Sequence, residues 1–252
     1  MASAEPNPSL EEDPAVSGAE PESPRHGFRG HGVPSPNIPA ALTIAVSREA
    51  GARGYTIGAR AGLKLGWPVY NQELLEYIAQ EGAFRQELAG HFSSEAFAWA
   101  DARLEQLLRE QNVSQHPSVR ELTRLILALG AEGEVVLIGR GAGFILPREA
   151  TLNVRIIAPL EDRVAYMSQR LRLTREEAAE QVRLRDTRRA EFLTTHFHRQ
   201  PGDIHQYDLL LNSSLLGEDV CAELIAQAAR AKLAAWVKPR SAPPSGEPEA
   251  VE

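Results

Sequence analysis

Residues Ser47 to Gly58 read SREAGARGYTIG. They follow the apolar run Leu42–Val46 and precede a helix-like segment, so the order is strand, glycine-bearing turn, helix. That order suits phosphate chemistry, because backbone N–H groups of the turn and of the helix start can all aim at one anion. The full pattern of such a loop, G-x-x-x-x-G-K-[ST], adds a lysine for the β- and γ-phosphates and a hydroxyl for Mg²⁺. Gly51, Gly54 and Thr56 have the right types. With Thr56 in the hydroxyl position, no lysine stands in the lysine's place and no glycine in the first glycine's place. The strict motif fails. On this stretch alone a plain turn explains the residues as well as a phosphate loop does.

Phosphoryl transfer needs two phosphates held in line and cations around the moving group, and arginines plus Mg²⁺ can supply them. Arg185, Arg188 and Arg189 lie in RLRDTRRAEF and share a helix face by i, i+3 and i+4 spacing. Their other reading is a solvated charged helix. Arg140, in IGRGAG, directly follows a strand candidate, and ligands of open α/β sheets bind at the carboxyl ends of strands. Arg48 and Arg53 could replace the lysine's charge or simply flank a turn. Glu49 either reaches Mg²⁺ indirectly or pairs with Arg48, and the pairing is preferred. His196, His198 and His205 do not read as a metal set: the first two are two residues apart on a helix, and no carboxylate completes the group. Trp99 and Trp236 read as core or interface anchors.

The elements that must position these residues alternate along the chain. LTIAVS, WPVY, EVVLIG, TLNVRIIA and YDLLLNSS read as five short strands. Between them, Thr56–Leu65, Gln72–Gln80, Phe84–Gln111, Ser118–Leu129 (closed by Gly130), Leu160–Leu171, Arg175–Phe197 and Gly217–Trp236 read as helices. Thr174 and Glu177 form a capping-box pattern. Strand and helix in alternation predict a doubly wound parallel α/β sheet.

Composition limits what such a domain does. The chain has 252 residues, 43% of them hydrophobic, enough for one substantial core. Its net charge of −7 argues against duplex nucleic-acid binding driven by bulk charge and leaves a local basic groove open. The single cysteine, Cys221, rules out an internal disulfide and a cysteine-based zinc site, and fits a reducing, cytoplasmic setting. No apolar run approaches the ~20 residues that span a bilayer, and MASAEPNPSLEEDP lacks the pattern of a secretory signal. Eight of 17 prolines precede Ala40 and four follow Val237. Residues 1–37 and 238–252 are therefore expected to be disordered tails around a domain at 38–237.

As a set, these pieces resemble a known family. AVSREAGARGYTIG with LGWPVYNQELLEYIA looks like the start of the cytidylate kinase-like proteins, a branch of the P-loop nucleoside monophosphate kinases. VLIGRGAGFILP, VRIIAPLEDRV, RLRDTRRAEF and YDLLLNSSLLG follow in the family's order, so the resemblance spans about Leu42–Ala235. In that branch the loop reads S-R-E/Q-x-G-x-x-G and lacks the lysine. The resemblance implies a P-loop NTPase-like fold with acceptor-side helices at about 72–129 and a helical lid at about 174–199. It implies ATP and Mg²⁺ as cofactors and a nucleoside monophosphate acceptor, CMP or dCMP first, with no nucleic-acid or membrane partner. Arg48, Gly51, Ala52, Arg53, Gly54, Tyr55 and Thr56 would hold the donor phosphates, with Thr56 on the metal. Arg140 would bind the acceptor phosphate, and Arg185 and Arg188 would act in the lid. The relatives carry D-G-R-D around this arginine; here Ile138 and Gly141 replace both acids, which puts CMP selectivity in doubt. A regulatory nucleotide-binding protein on the same fold stays open beside the kinase, as does kinase activity on another small acceptor. Arg163 reads as a surface residue paired with Glu161 or Asp162, although the donor base is its alternative. Asp208 reads as a strand start, Asn212–Ser214 as shaping the adenine loop, and Tyr70 and Asn71 as a turn that could face the acceptor.

Overall fold

The computed structural model describes residue 39 and residues 41–80 and 92–237. The expectations for 1–37, for 238–252 and for the helical stretch across 84–91 lie outside those residues.

Five parallel strands form one sheet in the order β2-β3-β1-β4-β5. The central β1 (Thr43–Arg48) pairs with β3 (Val135–Ile138) on one side and β4 (Thr151–Ile157) on the other. The short β2 (Val69–Tyr70) lies outside β3, and β5 (Leu209–Asn212) outside β4. The connecting helices are α1 (Gly54–Leu65), α2 (Gln72–Gln80), α3 (Ser94–Arg109), α4 (Pro117–Glu132), α5 (Ala142–Ile145), α6 (Leu160–Leu171), α7 (Arg175–Phe197), α8 (Ser213–Leu216) and α9 (Glu218–Val237). This is the parallel α/β architecture that the alternating pattern predicts.

Successive strand side chains point to opposite faces, so each strand feeds two layers. Ile44, Val46, Val136, Ile138, Leu152, Val154 and Ile156 pack against Ile57 and Ala61 of α1 and Cys221, Ile225 and Ala229 of α9. Ala45, Val135 and Leu137 face the other way, onto α2 to α5 and onto Leu193 and Phe197 at the end of α7. A smaller cluster of Ala50, Val164, Met167, Ala178 and Val182 ties the turn after β1 to α6 and the start of α7. Trp99 packs against the second layer.

Several boundaries differ from the sequence pattern. Residues 92 and 93 of the helix expected over 84–111 are not helical, and α3 starts at Ser94 behind its N-cap Ser93. Helix α1 starts at Gly54 rather than Thr56, because Arg53 takes the left-handed turn (φ 59°) that launches it. Helix α4 runs through Gly130, which is buried; a Cβ there would collide with the Leu146 side chain, so glycine permits a close crossing rather than a stop. The chain leaves α4 at Gly133, with φ +70°. Gly217 ends α8 (φ +78°), and α9 starts one residue later. Thr174 and Glu177 form the expected reciprocal capping box of α7. Among the described residues, no helix is long and apolar enough to cross a membrane.

Candidate active site

A cleft of about 240 Å³ opens at the carboxyl edge of β1, β3 and β4, under the middle of α7. Its floor is the second face of the sheet. Ser47, Gly139, Asn153 and Arg155 line it, each two residues along its strand from a position on that face or on it already. In β4, Asn153 and Arg155 occupy the positions that hydrocarbon fills on the opposite face. Both lie in the run TLNVRIIA, which local pattern marks only as a strand. The available signal was a polar residue recurring at period two inside a strand with neighbours on both sides.

Four guanidiniums reach the cleft: Arg48, Arg140, Arg155 and Arg189. Arg155 donates from Nη1 to Ser47 Oγ at 2.9 Å, stands 3.9 Å from Glu49 and lies over the Tyr207 ring, 5.6 Å from its centroid. Arg48 donates from Nη2 to Gln72 Oε1 at 3.4 Å. Its guanidinium crosses Gly139, where φ is +92° and a Cβ would strike Arg48 Nη1, so both the conformation and the contact demand glycine. Arg140 turns down in the left-handed region (φ 52°), ion-pairs with Glu76 of α2 and lies over Phe192 of α7 at 4.5 Å. Its side chain is only 16% exposed. Burial raises the pKa of the Glu76 carboxyl, with Arg140 opposing; burial lowers that of Arg140, with Glu76 and Glu73 opposing. An arginine stays protonated through such a shift, so the pair is a half-buried ion pair. Arg189 lies 3.8 Å from Asp186 one turn back on α7.

The turn after β1 is fixed from below. Arg163 of α6, 11% exposed, donates from Nε to Ala158 O at 3.0 Å, and from Nη1 to Ala50 O at 3.3 Å and to Asp186 Oδ2 at 2.6 Å. Asp186 Oδ1 accepts from Ala50 N at 2.7 Å. Gly51 (φ +79°) sits so close to Arg163 that an added Cβ would be 2.6 Å from its carbonyl oxygen. The surface reading of Arg163 is thus corrected: its partners are Glu49, at 3.5 Å, Asp186 and the turn's own backbone. Glu49 is corrected too. It faces Arg155 and Arg163 and accepts from Ala158 N at 3.2 Å, while Arg48 turns to Gln72. Both errors came from assigning partners by nearness in sequence, whereas parallel pairing brings Glu49 beside β4.

The remaining expected residues are distributed as follows. Arg48 and Arg140 line the cleft, whereas Gly51 to Thr56 form the adjoining turn and the start of α1. Arg53 lies over the Tyr166 ring at 4.9 Å and 3.7 Å from Glu218. Helix α1 has no side-chain cap and no acid in its first turn, which leaves its leading amides suited to an anion. On α7 the residues reaching the cleft are Asp186, Arg189, Ala190, Phe192 and Leu193; Arg185 and Arg188 are not among them, and Arg188 is exposed. Asp208 accepts from Asn153 N at 2.8 Å and from Lys232 Nζ at 3.1 Å, a structural tie between strands and α9. Asn212 caps α8, and Asn71 caps the start of α2 through Leu74 N. His196 packs on Phe192 and near His116. Among the described residues no cluster of three or more His, Cys, Asp or Glu could hold a metal ion.

The model of the cytidylate kinase-like family matches residues 43–215. A stretch of 108 residues is 28% identical to the cytidylate kinase of Ignicoccus hospitalis, covering 41% of this chain and 60% of that protein. Over 108 residues the chain is also 32% identical to a protein of Corynebacterium glutamicum named uronate isomerase, covering 43% of this chain and 21% of that one. The chain thus spans less than two thirds of either relative. Among solved structures, a protein of Eubacterium ventriosum described as uncharacterized superposes with a TM-score of 0.53 at 17% identity, over 75% of this chain and 98% of its own. That likeness concerns the fold alone.

Proposed function

The chain belongs to the cytidylate kinase-like family, and from that premise we propose that it is a nucleoside monophosphate kinase that moves the γ-phosphate of ATP to CMP, dCMP or a related acceptor. The observation that carries this reading is the convergence of Arg48, Arg140, Arg155 and Arg189 on one cleft at the carboxyl edge of the sheet. Four planar cations in a partly water-excluded site suit phosphate oxygens whose charge shifts during transfer. An oxygen of the acceptor phosphate forms the new P–O bond as the bond to the ADP leaving group breaks. The acceptor phosphate is already a nucleophile, so no general base is assigned.

The residues present fit Mg·ATP. The backbone of Gly51, Ala52, Arg53, Gly54 and Tyr55 and the uncapped start of α1 would hold donor phosphates. The Thr56 hydroxyl would hold Mg²⁺, which usually relies on few protein ligands and on the phosphates themselves. When bound, the metal offsets charge on the transferring group. Arg140 and Arg48 take the acceptor phosphate, and Arg155 and Arg189 border the path between them. Arg185 and Arg188 contribute through a movement of α7 that brings them over the donor. The setting is cytoplasmic.

One observation favours a second reading, a nucleotide-binding regulator with little turnover: a lid carboxylate, Asp186, already occupies the Ala50 amide of the turn. Acceptor-dependent ADP release from Mg·ATP with CMP, dCMP, UMP, AMP and GMP separates the two. Turnover with one acceptor, lost in Arg140→Ala and reduced in Arg185→Ala, is expected. ATP binding without turnover for any acceptor would establish the regulator instead.

A further inference from the structure

A second cleft, of about 430 Å³, lies on the far side of Gly143 and Phe144, which wall both cavities. Arg103 of α3, Arg148 before β4 and Arg199 after α7 come together in it, with Glu149 and Gln206. The proposed reaction uses none of these five side chains. We propose that this cleft binds a phosphate monoester of a small, hydroxyl-bearing molecule.

The charge balance sets the anionic half of that ligand. Three guanidiniums line the cleft with one carboxylate, Glu149; none of the three has a carboxylate within ion-pair distance among the described residues, and Asp203 acts on Arg199 only at longer range. Arg103 Nη1 donates only to the Gln106 amide oxygen at 2.7 Å, and Arg148 Nη2 to the His205 carbonyl at 3.5 Å. In the first cleft, by contrast, Arg140, Arg155 and Arg189 each stand beside an acid. Three cations drawn from separate segments outnumber the acids near them, Glu149 and Asp203, and a phosphate offsets that excess.

Gln206 sets the other half. Its Nε2 donates to Asp203 Oδ2 at 2.7 Å and to Gln200 O at 3.3 Å, which fixes the amide orientation and leaves Oε1 as the acceptor on the other side. That Oε1 is buried without a hydrogen-bond partner, as is Arg103 Nε. One unsatisfied acceptor and one unsatisfied donor at the same cleft suit a ligand with a hydroxyl to give and a phosphate oxygen to receive; small rotations of the two side chains complete both bonds. Phe144 supplies an apolar wall, and the volume suits a sugar phosphate.

Calorimetric titration of the full chain with ribose 5-phosphate, ribose and inorganic phosphate tests the proposal, and the test does not depend on the kinase reading. Ribose 5-phosphate should bind more tightly than inorganic phosphate, and ribose should not bind. The Arg148→Ala/Arg199→Ala double variant removes two exposed side chains and so keeps the fold; it should weaken ribose 5-phosphate at least about tenfold. Arg103→Ala should do the same, with thermal melting as its folding control. Ribose 5-phosphate is also the phosphate half of the proposed acceptor, so Arg140→Ala/Arg189→Ala should remove at most a second binding event, at the first cleft, and leave one site of unchanged affinity. No binding up to about 10 mM, an unchanged affinity in the Arg148/Arg199 variant, or a loss confined to the Arg140/Arg189 variant would overturn it. Equal affinity for ribose 5-phosphate and inorganic phosphate would overturn its hydroxyl half.

Discussion

On the face of the sheet covered by α1 and α9, β4 presents Leu152, Val154 and Ile156, all buried against hydrocarbon. On the face beneath α7 the same strand presents Asn153 and Arg155. The backbone and the pairing are common to both faces; only the side chains of alternate residues differ. One face therefore holds the domain together, and the other gives up apolar contact to carry charge. A buried polar group is tolerated only when its partners are supplied, and here Ser47, Glu49, Tyr207, Gly143 and Gln206 supply them.

Substitutions on the two faces should therefore separate activity from stability. Arg155→Ala should lower kcat/KM about 10²–10³-fold in the ADP-release assay, with the melting temperature close to that of the parent, because Glu49 keeps Arg163 and the Ala158 amide. A stability loss with full activity would reverse the assignment of faces. Ile156→Ala, one residue away and pointing the other way, should cost about 2–5 kcal/mol in a urea titration while the folded fraction keeps its specific activity. At the edge between the faces, Asp186→Asn should weaken ATP binding about tenfold, since Asp186 holds both Ala50 N and Arg163. Tighter ATP binding would mean that the carboxylate competes with phosphate, as the regulatory reading requires.

The smallest effect concerns pH. Burial lowers the pKa of His196, and His116 and Arg140 lower it further. The unfolded chain then takes up a proton that the folded chain refuses. The contribution of His196 is fully present above its unfolded value of about 6.5 and is lost as pH falls from there toward the folded value. Urea midpoints at about pH 7.5 and about pH 5.5 should differ less in His196→Gln than in the parent; an unchanged difference would locate the dependence elsewhere.

Much of this organisation is legible along the chain. Five strands and the helices between them follow from short apolar runs, glycines and the Thr174 cap, because those signals are local. The Arg48 and Arg140 positions are legible for the same reason, since Arg48 closes β1 and Arg140 stands two residues beyond β3. What local pattern does not carry is which residues parallel pairing makes neighbours. Glu49 meets Arg155 and Arg163 only because β1 lies beside β4. Asp186 meets Ala50 only because α7 packs back over the turn. Gly130 reads as a helix end until Leu146 is seen to pass it.

The central place of β1 also bears on how the chain reaches its fold. Thr43 pairs with Val135 and with Thr151, so the innermost strand is made first and its two neighbours much later. Sequence-distant pairings of this kind slow folding, since long loops must close before any of those contacts form. During synthesis β1 emerges with both edges open and no partner strand yet made. Nascent chains that end before β4 should therefore be prone to aggregation or dependent on chaperones, and the sheet should close cooperatively once both neighbours of β1 have emerged.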